Sequence, residues 1–186
     1  MTLKSKKITR RDFITRSTLA TAGLATIGPM AVSGPKLRKN SIGANDRINV
    51  AVVGIRGRGQ SHIQNFAEMD NVQVKTLCDV DEKVFPDRVK MTEEVQGSRP
   101  GTEVDIRRVL EDPDIDVVAF ATPNHWHALG TIWACQAGKH VYCEKPSSHN
   151  IWEGRKMVDA ARKYNRIVQI GYQNRSRRNT NAAMKF

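Results

Sequence analysis

Four short stretches carry the residues that could do chemistry. The first is Gly54-Ile55-Arg56-Gly57-Arg58-Gly59. Glycines in such a run permit a tight turn and let backbone N–H groups come close to a pyrophosphate. The run departs from G-x-G-x-x-G. Gly54 and Gly59 fill the outer places, Arg56 stands where the middle glycine belongs, and Gly57 follows one residue later. Alone, the run also reads as a flexible loop. The second feature is Asp79, twenty-five residues after Gly54. A carboxylate there can accept both hydroxyls of a ribose and repel a 2′-phosphate, which favours NAD. Arg56 or Arg58 can also contact a phosphate, so NADP stays open. The third is Thr122-Pro123-Asn124-His125-Trp126-His127. Its two histidines lack an acidic or third histidine partner at matching spacing, so no metal is expected. The fourth is Glu144-Lys145-Pro146. A lysine beside a glutamate and fixed by proline can relay a proton or orient a hydroxyl. It also reads as an exposed loop lysine.

The elements between these stretches explain their spacing. Arg47–Val53 is a β-branched apolar run ending at a glycine, as a buried parallel strand would. Helical spacing over 58–69, a strand over Val72–Cys78 and a helix over 81–96 follow, with Pro86 expected to break or begin that helix. A short helix is expected over Asp105–Glu111 and a buried strand over Asp116–Ala121. The apolar run 127–137 predicts a helix stopped by Gly138, and His140–Cys143 a further strand. Asn150 and Glu153 form a capping box for a helix to Tyr164, and Ile167–Ile170 is the last strand. Alternating strands and helices predict an α/β fold: a Rossmann-like, doubly wound parallel sheet with helices on both faces. Such sheets bind ligands at the carboxyl ends of their strands, where all four stretches fall.

Composition narrows the class. The chain has 186 residues and a net charge of +11. The excess lies outside the expected domain: residues 1–33 hold six Lys/Arg against one Asp, and residues 46–171 hold 17 against 18 Asp/Glu. A nucleic-acid surface would need that charge on the domain, so no nucleic-acid partner is expected. Cys78, Cys135 and Cys143 are too scattered for a disulfide framework or a zinc module and read as small buried hydrophobes. Residues 1–33 run from basic through mildly apolar to small, the order of an export signal, and Arg10-Arg11 followed by Phe13-Ile14 resembles the twin-arginine type. Cleavage after Ala31-Val32-Ser33, a linker over 34–45, a periplasmic or otherwise exported location and no stable membrane span are the expectations.

The run ATPNHWHALGTIWACQAGKHVYCEKP, preceded by AVVGIRGRG and LCDVDE, resembles the Gfo/Idh/MocA oxidoreductase family over about residues 46–176. That family includes glucose–fructose oxidoreductase and inositol dehydrogenase. The resemblance implies an NAD(P)-binding domain over 46–171 and then an α+β domain that forms the substrate pocket and dimer interface. It implies cofactor contacts at Gly54, Gly57, Gly59, Asp79, Thr122, Pro123, Asn124 and His127, with Arg56 in the same loop, and Glu144 near the nicotinamide ribose. It implies that Lys145 orients a substrate hydroxyl during hydride transfer between a carbohydrate carbon and the nicotinamide. Residues 172–186 resemble a truncated start of the second domain. The family's later histidine is absent, so this chain alone is expected to be inactive, and a homo-oligomer is expected only of the full-length form. Two other readings stay open: a dinucleotide-binding module without catalysis, and an enzyme that cleaves glycosides through transient oxidation. Because the twin-arginine machinery, the expected export partner, carries folded proteins, the cofactor is expected to be bound before export and held tightly.

Overall fold

The computed structural model describes residues 47–184. The expected export signal, linker and cleavage site lie outside the described residues. Six strands form one parallel sheet: β1 (Ile48–Val53), β2 (Val72–Cys78), β3 (Gly101–Glu103), β4 (Val117–Phe120), β5 (His140–Glu144) and β6 (Val168–Gly171). Their order across the sheet is β3-β2-β1-β4-β5-β6. The strand sequence therefore reverses between β1 and β4, which opens a crevice at their carboxyl ends.

The sheet is apolar on both faces because its crossovers are helical. Along β1, Val50 and Val52 join one core cluster while Ala51 and Val53 join the other. The Val50/Val52 cluster takes in Ile63 and Ala67 of α1 (Gly57–Ala67) and Val89 of α2 (Phe85–Gln96). The Ala51/Val53 cluster takes in Val109 and Leu110 of α3 (Ile106–Glu111), with Ala128, Ala134 and Cys135 of α4 (His127–Gln136). Met157 and Ala160 of α5 (Ile151–Lys163) close that face. All three cysteines are buried and free. Burial pushes the Cys78 and Cys143 thiols up to about 12, so both stay protonated near neutrality.

Most predicted elements occur with ends shifted by a residue or two. Pro86 begins α2 rather than breaking it, after a 3₁₀ turn over Glu82–Val84. Asp105 lies just outside α3, where its carboxylate accepts the Arg107 N–H as an N-cap. Asn150 caps α5 as expected, but Glu153 reaches back to the His149 N–H at 3.0 Å. Strand β3, a three-residue edge strand paired with Thr76–Cys78, has no counterpart among the elements expected from sequence. After β6 the chain makes a 3₁₀ turn over Gln173–Ser176 and a short helix, α6 (Arg178–Ala183). No helix among the described residues is long and apolar enough to cross a membrane.

Candidate cofactor and substrate site

The glycine loop is shaped by what lies against it. Gly54 ends β1 with φ of +81°, and its N–H donates to the Cys78 carbonyl at 2.8 Å. A side chain there would meet the Ala121 and Thr122 backbone at 2.9 Å. At Gly59 the obstacle is steric alone, since an added Cβ would stand 1.8 Å from the Gly54 oxygen. Helix α1 therefore lies directly on the end of β1. Gly57 differs, with φ of +38° and no atom within 4 Å of where a Cβ would stand. Its outer side is open space.

Asp79 follows β2 and holds this loop. One carboxylate oxygen accepts the Ile55 N–H at 3.0 Å and the other accepts the Asp81 N–H at 3.0 Å. A carboxylate has about four lone-pair positions. Two are used here, which leaves capacity for a diol. Arg56, at the N-cap of α1, makes an ion pair with Asp81. The Asp81 carboxyl is held below its usual range, first by the Lys83 N–H and then by Arg56.

Two clefts lie along the carboxyl edge of the sheet. The larger, about 610 Å³, is bordered by Gly54, Asp79, Val80, Val104, Pro123 and Trp126, among others. Its walls suit a flat apolar ring. The smaller, about 410 Å³, is bordered by Arg58, Thr122, Glu144, Lys145, Gln173 and Arg177, among others. Thr122 borders both, and its Oγ1 is buried without a hydrogen-bond partner. A buried hydroxyl in that condition is suited to a ligand atom. The open Gly57, the braced Asp79 and this hydroxyl together fit a dinucleotide laid across both clefts. Asn124 is half-buried in a 3₁₀ turn and borders neither cleft.

Glu144 borders the smaller cleft but is braced by the protein, and the His127 ring is turned away from the cofactor contact expected of it. Glu144 is only 5% exposed, and the protein occupies both of its oxygens. Oε1 accepts Arg58 Nε at 2.8 Å and Gln173 Nε2 at 2.5 Å, while Oε2 accepts the Lys145 N–H at 3.2 Å. One carboxylate thus joins α1, the lysine loop and the turn after β6. His127 is 1% exposed, with Nδ1 at 2.6 Å from the Pro146 carbonyl and Nε2 at 2.9 Å from the Thr122 carbonyl. It clamps the β4 and β5 loops together and offers no free ring nitrogen. Lys145 is exposed at the smaller cleft and, among the described residues, has no carboxylate within ion-pair distance.

Sequence reasoning offers Arg58 only as a phosphate contact and passes over Gln173 and His62. A usable signal is present, because positions 58 and 62 share one stripe of α1. His62 is buried on that stripe while Arg58 is half-exposed, and a buried ionisable group calls for a polar partner. His62 Nε2 lies 3.0 Å from Glu144 Oε1, although the pair makes no hydrogen bond.

This cluster gives a pH prediction. Burial lowers the His62 imidazole below its ordinary 6.5, outweighing the attraction of Glu144. Burial pushes the Glu144 carboxyl up, but the Arg58 hydrogen bond, the Lys145 N–H and nearby positive charge hold it below 4.5. Both folded values are depressed, so both contributions to stability are fully present above the unfolded values and are lost on acidification. The urea midpoint should fall as pH drops below about 6.5, and fall further below about 4.5. His62→Gln should flatten the upper part of that profile. A wild-type midpoint constant from pH 7 to 4 would contradict the assignment.

Strand order, glycine loop, braced acid and paired clefts define a dinucleotide-binding domain. Residues 48–172 match the family described as "Oxidoreductase family, NAD-binding Rossmann fold", and the chain belongs to this Gfo/Idh/MocA family. A Glycosyl hydrolase family 109 protein of Shewanella baltica (strain OS185) is 31% identical over 170 residues, covering 83% of this chain and 37% of the relative. The chain thus spans little more than a third of the length of the curated relatives it matches. The WlbA dehydrogenase of Chromobacterium violaceum, solved with NADH and UDP-GlcNAcA, is 29% identical with a TM-score of 0.59, over 71% of this chain and 37% of that one. The myo-inositol 2-dehydrogenase of Lactobacillus plantarum has a TM-score of 0.65 at 23% identity, over 75% of this chain and 40% of that one, and supports the fold alone.

Proposed function

We propose that the whole protein is an exported NAD(P)-dependent oxidoreductase that acts on a hydroxyl-bearing carbon of a carbohydrate. The observation that carries this reading is the smaller cleft, which sets the unpaired Lys145 beside Thr122, next to the glycine loop. The cofactor, when bound, supplies the hydride chemistry. The chain's own residues supply geometry. The glycine loop takes the pyrophosphate, Asp79 the adenosine ribose, and Thr122 and Pro123 border the path between the clefts. Lys145 orients the substrate hydroxyl and takes part in moving its proton. Glu144 acts from behind, fixing the start of the lysine loop through Lys145 N–H. His127 fixes the other end of that loop through the Pro146 carbonyl.

The first test is cofactor binding by the chain itself. Added NAD should quench tryptophan fluorescence, because Trp126 and Trp133 border the larger cleft. Asp79→Ala should lower NAD affinity by about tenfold or more, since it loses ribose hydrogen bonds and also releases the loop. Unchanged affinity in that variant would remove Asp79 from the site.

A second reading rests on the glycosyl hydrolase name of the Shewanella relatives. A bound NAD that oxidises a sugar carbon, permits elimination of the glycosidic group and then takes back its hydride would cleave glycosides without net NADH. Release of a chromogenic aglycone with no gain in NADH absorbance would select this reading, and stoichiometric NADH would select the dehydrogenase. The export reading rests on Arg10-Arg11. Cell fractionation of an Arg10→Lys, Arg11→Lys variant tests it, with retention in the cytoplasm expected.

A further inference from the structure

The glycine loop departs from its usual pattern at Arg56, and the structure gives that departure a partner. Arg56 occupies the N-cap of α1 but makes no side-chain cap hydrogen bond. Its guanidinium instead pairs with Asp81, two residues beyond Asp79 in the turn that follows β2. Asp81 is anchored on its own side, since its Oδ1 accepts the Lys83 N–H at 3.1 Å. Among the described residues Arg56 has no other side-chain hydrogen bond, and its side chain is 65% exposed. The arginine is therefore the movable half of the pair.

Asp79 ties this pair to the ribose position. Its two bonds go to Ile55, the residue before Arg56, and to Asp81 itself. A ribose that uses the remaining capacity of Asp79 brings its 2′ position beside the pair. Three other nearby cations are engaged: Arg58 with Glu144, Arg88 with the Ile55 carbonyl at 2.9 Å, and Arg107 with both Asp105 oxygens. Lys83, whose charge also acts on Asp81, lies beyond Asp81 in the 3₁₀ turn, on the far side of the pair in sequence from the glycine loop. Exposed ion pairs hold weakly, whereas guanidinium and phosphate form strong two-pronged contacts.

We propose that the Arg56–Asp81 ion pair sets the choice between NAD and its 2′-phosphorylated form. Closed, the pair neutralises Arg56 and leaves the ribose diol to Asp79. With a 2′-phosphate present, Arg56 leaves Asp81 for the phosphate and offsets the repulsion from Asp79. The chain therefore takes both cofactors. This inference rests on the dinucleotide reading above.

The test is titration of the full chain with NAD and with NADP, read by tryptophan quenching. Competition by 2′,5′-ADP against ADP isolates the 2′-phosphate. Wild-type affinities for the two cofactors should agree within about tenfold. Arg56→Gln should lower NADP affinity about tenfold more than NAD affinity, and Arg56→Lys should recover part of that difference. Asp81→Asn should shift the ratio the opposite way. Thermal melts establish folding, and the two Arg56 variants decide the matter if Asp81→Asn does not fold. Equal losses for both cofactors in Arg56→Gln, or no NADP binding by wild type, would overturn the inference while leaving NAD binding intact. Failure of wild type to bind NAD, NADP or ADP would overturn the dinucleotide reading itself.

Discussion

Gly59→Ala is expected to destabilise the domain by about 3 kcal/mol or more. The added carbon would stand 1.8 Å from the Gly54 carbonyl oxygen. Neither group can turn aside, because both are fixed to the backbone. Helix α1 would have to lift from the end of β1, and Ile63 and Ala67 would lose their place in the core under it. The melting temperature should fall by roughly 10 °C in a domain of this size. Gly57→Ala is the informative contrast. Nothing lies within 4 Å of the new carbon, and only the positive φ resists it, at about 1 kcal/mol. That variant should fold yet bind NAD more weakly, because its methyl group projects into the open side of the loop. A Gly59→Ala protein that melts like wild type would mean that helix and strand are not in contact at this point.

Lys145→Met should lower turnover of the whole protein by about 10²- to 10⁴-fold. Methionine keeps much of the length and the apolar stem of lysine while removing its proton and its charge. NAD affinity should change by no more than about threefold, because the cofactor contacts assigned above come from other residues. The split between the two measurements matters more than either value. A comparable fall in both would make Lys145 part of the cofactor seat. Retained turnover would return it to an exposed loop lysine, the alternative that the sequence leaves open.

The parts of the site that are legible in the sequence are those written locally. The glycine loop and Asp79 stand at fixed distances from strand ends, and apolar runs mark those ends. Asp105 and Asn150 likewise announce helix starts through their own side chains, whereas Pro86 alone leaves open whether a helix breaks or begins there. Strand β3 is not legible because Gly101-Thr102-Glu103 has no apolar run, and it exists only by pairing with an already buried neighbour. The hub at Glu144 is hidden for another reason. Its partners Arg58 and Gln173 lie 86 and 29 residues away, and only the closed sheet brings them together. His127 is given a cofactor contact by the family resemblance, and from sequence it opens the helix expected over 127–137. The packing instead turns its ring inward between two carbonyl groups.

The two-faced burial of β1 bears on how the chain finds its alignment. In a strand with one wet face, sliding by a single residue moves every apolar side chain into water, and that penalty fixes the pairing. Val50 to Val53 carry no such information, since all four are apolar and either face would accept them. The alignment must be written at the strand's polar ends. At one end the Asn49 N–H donates to Asp116 Oδ2 and its side-chain amide donates to the Asp114 carbonyl, each at 2.8 Å. At the other the Gly54 N–H meets the Cys78 carbonyl; the pairing with β4 runs unbroken from Val50 to Val53, while that with β2 shifts between Val50 and Ala51. The core supplies the adhesion of the central strand, while a few polar groups at its tips act as the ruler.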